Sequence, residues 1–83
     1  MYAVEILPSA ARELAGLQPS VQRRVARRID QLAVDPRAGS VKLRGAEVIW
    51  RARVGDYRIL YRIEDARLLV LVIKIGHRGD VYR

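Results

Sequence analysis

Four arginines in the second half of the chain, Arg51, Arg53, Arg58 and Arg78, are the residues whose type and spacing point most directly to chemistry. A guanidinium presents a planar fork of donors that matches phosphate, and it stays charged at any working pH. Arg51 and Arg53 alternate with Trp50 and Ala52, so in a strand they share one face. Arg58 and Arg62 likewise fall opposite Ile59 and Tyr61. Pairing the two strands in a hairpin sets Arg58 beside Arg51 and Arg53, with Arg78 arriving from the tail. Like charges gathered this way repel one another unless an anion offsets them. The chemistry that fits is phosphate binding. The competing explanation is a row of solvent-side arginines on a half-exposed sheet. It accounts for single arginines, but not for the scarcity of acids on that face, where only Glu47 and Glu64 sit at the ends.

Other chemistries are poorly provided for. Cysteine is absent, which removes disulfides, thiolate nucleophiles and Cys-based zinc sites. With one histidine, His77, the chain has a poor set of transition-metal ligands, and no metal or cofactor is expected. Sixteen basic residues face nine acidic ones, for a net charge of +7 and a pI near 10.8. Only Lys42 and Lys74 are lysines, so fourteen of the sixteen are arginine. A small domain this basic suits a polyanion, RNA or DNA, or an acidic protein.

The elements that must position these residues are readable from periodicity. The 83 residues make one domain, 1–83, which buries only about 60% of its unfolded surface. Residues 2–7 read as a strand broken by Pro8-Ser9. Ser9 is the expected cap of a first helix carrying Ala10, Leu14 and Leu17 at helical spacing. Pro19 starts a second helix, in which Val21, Val25, Ile29 and Leu32 form the apolar stripe. Its outer stripe carries Arg23, Arg24, Arg27 and Arg28, and Asp35-Pro36 ends it. Residues 37–45 read as loop. Three strands follow: 47–54, then 57–64 after a Gly55-Asp56 turn, then 67–75, apolar on both faces and ended by Gly76. The expected fold is α+β: an N-terminal strand, a helical hairpin, then a three-stranded antiparallel meander. These form one four-stranded sheet with the helices on one face. The N-terminus has no signal-peptide pattern. The longest apolar run, 68–73, is far short of the ~20 residues a membrane span needs, so no membrane association and a cytoplasmic location are expected.

Three stretches together carry a family likeness. They are Lys42-Leu43-Arg44-Gly45, then Trp50-Arg51-Ala52-Arg53-Val54-Gly55-Asp56-Tyr57-Arg58-Ile59-Leu60-Tyr61, and Ile75-Gly76-His77-Arg78-Gly79-Asp80-Val81-Tyr82-Arg83. In this order and spacing, with the helical hairpin and its Asp-Pro-Arg exit, the chain resembles the RelE/ParE toxin superfamily over nearly its whole length. Each piece alone is weak; the ordered set is specific. Two departures stand out: arginines replace lysines of the best-studied pattern at Arg51 and Arg53, and the sequence ends at Arg83, without the short C-terminal helix of some members.

The resemblance implies a RelE-like toxin of a type II toxin–antitoxin system: an mRNA interferase that enters the ribosomal A site, cuts mRNA there and inhibits translation. It implies a catalytic set of Arg51, Arg53, Arg58, Arg78 and Tyr82, with Lys42 and Arg44 binding RNA. His77 joins the catalytic candidates on its own chemistry, as the side chain naturally suited to acid or base work. The expected reaction is attack of a ribose 2′-OH on the adjacent phosphate, which needs a base, charge stabilisation and an acid for the 5′-oxygen. Arg58 and Arg78 suit charge stabilisation, with Arg51 and Arg53 positioning the backbone. The base is open among Glu47, His77, Tyr82 and a ribosomal group, since arginine does not deprotonate. Two other readings stand beside this one: a ParE-like toxin that inhibits gyrase without catalysis, and a non-catalytic nucleic-acid-binding module. The implied partner is an acidic, partly disordered antitoxin that folds on binding.

Overall fold

The computed structural model describes residues 1–77. Strand β1 (Ala3–Ile6) leads into helices α1 (Pro8–Ala15) and α2 (Pro19–Val34). Strands β2 (Val41–Leu43), β3 (Ile49–Val54) and β4 (Tyr57–Glu64) follow. A single 3-10 turn (Asp65–Arg67) then precedes β5 (Leu69–His77). The sheet order is β1-β5-β4-β3-β2, with β1 parallel to β5 and every other pair antiparallel. The α+β class, the helical hairpin and the meander are as expected, but among the described residues the sheet has five strands rather than four. The added strand, β2, lies in what reads as loop. It is three residues long and exists through pairing of Val41, Lys42 and Leu43 with Arg51, Trp50 and Ile49, a contact no local pattern announces.

Both helices start with proline in the first turn, where the missing N–H costs nothing. Ser9 is not the cap of α1: Leu7 holds that position and no side chain caps it. The helix ends at Ala15, so Leu17 packs on the core from the connection rather than from the helix. Val25, Ile29 and Leu32 of α2 and Ala10 of α1 meet Ala52, Val54, Ile59, Tyr61, Val70, Val72 and Ile75 from one face of the sheet. Tyr61 is fully buried, and its hydroxyl donates to the carbonyl of Pro36 at 2.6 Å, tying the end of α2 to β4. Burial also raises the Tyr61 pKa above that of an ordinary tyrosine.

Several strand ends differ from the sequence reading: β1 is shorter by one residue at each end, and β5 starts at Leu69 rather than at residue 67. β3 begins at Ile49, leaving Val48 exposed, and β5 continues through Gly76 to His77. Between β4 and β5, Leu60 pairs with Lys74 but Tyr61 pairs with Val72, so Ile73 is an extra residue, a β-bulge. The bulge lets Val72 and Ile75, three apart in sequence, reach the same helix-side core. β1 reaches only Val72 in its pairing with β5. Beyond it, α1 covers the strand: Glu13 accepts from the Ile75 N–H at 3.1 Å and pairs with Lys74 Nζ at 2.9 Å.

No helix among the described residues is long and apolar enough to cross a membrane.

Candidate nucleic-acid interface

The β3–β4 hairpin builds the site. Its two-residue turn, Gly55-Asp56, requires φ +59° at Gly55, which glycine adopts without a Cβ clash. That turn fixes the register, and the register sets Arg53 directly opposite Arg58. Residues directly opposite share a face. Arg51, two residues before Arg53 and opposite Leu60, lies on that face too. Ala52, Val54, Ile59 and Tyr61 turn the other way, into the core. The sheet thus brings together three of the expected arginines by the same alternation that buries its apolar residues.

Their environments differ. Arg53 is exposed and Arg51 half-buried, whereas Arg58 is only 4% exposed. The reading of Arg58 as a solvent-side residue is therefore corrected. Its side chain folds back over the turn, and Nη1 donates to the carbonyls of Gly55 (3.4 Å) and Tyr57 (3.3 Å). Its Nε is buried with no acceptor among the described residues. A buried, incompletely satisfied guanidinium suits an anion, because a cation out of water gains most from a negative partner. No ion pair among the described residues reaches Arg53 or Arg58. Glu47, one of the candidate bases, instead faces Arg62 at 4.0 Å.

His77 does not join this face. It pairs in register with Tyr57, itself opposite Val54, so it stands on the helix side of the hairpin tip. The two rings meet edge to face at 5.5 Å. Tyr57 is the residue the sequence reading passed over, and the alternation that placed Arg58 would have assigned it to the opposite face. Lys42 and Arg44 are exposed at the far edge of the sheet, lining a cleft of about 460 Å³ with Leu43, Gly45, Glu47 and Val48. Lys42 pairs with Trp50, on the opposite face from Arg51, so it extends the basic edge rather than the arginine cluster. Arg78 and Tyr82 lie outside the described residues.

A polar strap braces the Trp50 side. Arg37, at the exit of α2, donates to both oxygens of Asp65 at 3.2 and 2.8 Å, and its guanidinium stands 5.5 Å from the Trp50 ring centroid. The Tyr2 hydroxyl donates to the same carboxylate at 2.5 Å. Arg37 first, and Tyr2 second, hold the Asp65 carboxyl below its ordinary pKa. Among the described residues no three His, Cys, Asp or Glu side chains gather as metal ligands. The arrangement suits binding a phosphodiester and stabilising added negative charge on it.

Residues 4–82 match the family described as the ParE toxin of the type II toxin–antitoxin system, parDE. The chain is 34% identical to Toxin RelG of Mycobacterium tuberculosis, over 99% of this chain and 97% of that protein. It is 26% identical to the mRNA interferase toxin RelE of Escherichia coli K12, over 98% of this chain and 90% of the relative. Among solved structures it resembles a chain of the toxin–antitoxin complex RelBE2 from Mycobacterium tuberculosis. The TM-score is 0.84 and the identity 32%, covering 93% of this chain and 98% of that one.

Proposed function

The chain belongs to the ParE toxin family of type II toxin–antitoxin systems, and from that premise we propose that it is a toxin acting as a ribosome-dependent, metal-independent mRNA endonuclease. The observation that carries the reading is the Arg53–Arg58 pair: two guanidinium groups on one face, one of them buried, with no acid to neutralise them among the described residues. The likeness to an mRNA interferase over nearly the whole chain supports it.

In the proposed reaction the 2′-oxygen of a ribose forms a bond to the adjacent phosphorus, and the bond from phosphorus to the 5′-oxygen breaks. One proton leaves the 2′-hydroxyl and another reaches the 5′-oxygen. The products are a 2′,3′-cyclic phosphate and a 5′-hydroxyl. Arg58, from its water-poor position, stabilises charge on the phosphoryl oxygens, a contribution worth about 3 kcal/mol of barrier for one well-placed donor. Arg51 and Arg53 hold the phosphodiester in place, and Arg78 and Tyr82 complete the set from the C-terminal segment. Glu47 is drawn to Arg62 at the far end of the arginine face, and His77, beside Tyr57, stands on the opposite face. That favours a base supplied by Tyr82 or by the ribosome, and it accounts for ribosome dependence.

A cognate antitoxin is the proposed inhibitory partner, since the similar solved chain is part of a toxin–antitoxin complex. The match to a family described as ParE favours one second reading, a gyrase inhibitor without catalysis. Primer extension on a defined mRNA, with and without ribosomes, tests the first reading. Cuts confined to the A-site codon, dependent on ribosomes and lost in Arg58→Ala, are the expected result. A folded toxin that leaves mRNA intact and inhibits gyrase supercoiling replaces it with the second.

A further inference from the structure

A second basic feature lies around the corner from the arginine face. Arg24, Arg27, Arg28 and Gln31 rise from one side of α2 at helical spacing and, with Arg53, line an open groove of about 320 Å³. The groove floor is the hairpin turn. Arg24 rests on it: a Cβ at Gly55 would lie 3.2 Å from Arg24 Nη2. Arg28 is fastened from the other end, donating to the Ala38 carbonyl at 2.8 Å and to Ser40 Oγ at 3.2 Å. Among the described residues no carboxylate lines the groove. The ion pairs among the described residues use Arg37, Arg62, Arg67 and Lys74, and none of the four groove arginines.

We propose that this groove is a second phosphate-binding site, which takes the backbone of an RNA strand or duplex away from the bond that is cut. Four guanidinium groups with no acid beside them among the described residues repel one another, and a polyanion offsets that repulsion. Arg53 lines the groove and also faces the arginine cluster, so one basic track runs from the open sheet face around the hairpin tip onto α2. A protein partner folding onto the groove would need apolar anchors. Among the described residues the only apolar side chain lining it is Val54, which is itself 8% exposed and packed in the core. Among the described residues the groove offers charge without apolar anchors, which suits phosphates, fixes position and carries no base specificity.

The inference does not rest on cleavage, so its test uses RNA that cannot be cut. A short fluorescent duplex of 2′-O-methyl RNA is titrated with the full chain at several salt concentrations, and the slope of log affinity against log salt is read by anisotropy. Arg24→Gln combined with Arg27→Gln is expected to lower that slope by about two, one for each lost phosphate contact. Arg12→Gln combined with Arg67→Gln, equal in charge but outside the groove, is expected to leave it nearly unchanged. Because Arg24 also rests on the turn, Arg27→Gln alone is measured as well, with an expected drop of about one. An unchanged slope in a folded groove variant overturns the proposal, and so does an equal loss in the two double variants. Intact RNA binding with lost affinity for the cognate antitoxin also overturns it, in favour of an acidic protein segment.

Discussion

Arg53 and Arg58 are direct cross-strand partners, separated in sequence only by the hairpin turn and its flanking residues, and they leave the sheet on the same side. Opposed like charges at this spacing weaken a hairpin. The fold nonetheless holds one of them buried, with its guanidinium against the turn carbonyls. The relationship separates stability from function, because the same two side chains act in opposite directions on each.

Arg53→Ala is therefore expected to stabilise the fold slightly, by about 0.5 kcal/mol, through removal of one of two opposed charges. The same change lowers cleavage in the ribosome system. Arg58→Ala is expected to reduce the single-turnover rate about a hundred- to a thousand-fold. Urea denaturation midpoints set beside cleavage rates check both. If Arg53→Ala is destabilising while cleavage is unaffected, the pair is structural and the assignment fails.

Tyr61→Phe tests the bond between the helical layer and the sheet. The ring stays buried, but the Pro36 carbonyl loses its partner inside the core. Leaving a buried acceptor unsatisfied costs about 1–3 kcal/mol. The urea midpoint is expected to fall accordingly, with ribosome-dependent cleavage unchanged at temperatures where the variant stays folded. A midpoint equal to that of the wild type would mean the hydroxyl contributes nothing to stability.

Much of this was legible in the sequence because one period governs both layers of information. Alternation in β3 and β4 that sends Ala52 and Ile59 inward sends Arg51, Arg53 and Arg58 outward, so face assignments follow without coordinates. What escaped needed long-range contacts. β2 has too few residues to show a period and is defined by pairing with β3. The bulge at Ile73 breaks alternation in a strand whose two faces are both apolar, which leaves no local mark. The burial of Arg58 depends on a side chain folding back onto its own turn, and charge alone pointed it to solvent. Reading the strand as ending at Gly76 hid the register that sets His77 against Tyr57.

Glu13→Ala is expected to loosen the far half of β5 more than Lys74→Met does. The Glu13 carboxylate accepts from the Ile75 amide just past the bulge, where β1 no longer covers the strand. Its pairing with Lys74 is half-exposed, and partners of that kind contribute little. Losing the acceptor for the Ile75 N–H is the costlier event. Native-state hydrogen exchange should show faster exchange of the Ile75 amide in Glu13→Ala, with the Lys74→Met amide close to wild type. Equal effects would assign the contact to the ion pair instead.

The strap of Tyr2, Arg37 and Asp65 gives the fold a pH window with two edges. Asp65 has its folded pKa depressed, mainly by the Arg37 hydrogen bonds and next by Tyr2. Its contribution is thus present above the unfolded value, near 3.8, and is lost as pH falls through the lower folded value. Tyr2 has its folded pKa raised, chiefly by the hydrogen bond to Asp65. Its contribution is present below the unfolded value of 10.0 and is lost as pH rises through the higher folded one. Asp65 and Arg37 are exposed and Tyr2 only half-buried, so the effects are small and sensitive to salt. The chain's single tryptophan, Trp50, lies beneath Arg37 and reports on the strap directly. Its fluorescence should change at the acid edge in the wild type, and Asp65→Asn should abolish that change. Tyr2→Phe should leave the acid transition in place and remove the alkaline one. A Trp50 signal that follows the same acid course in Asp65→Asn would show that another carboxylate controls that edge.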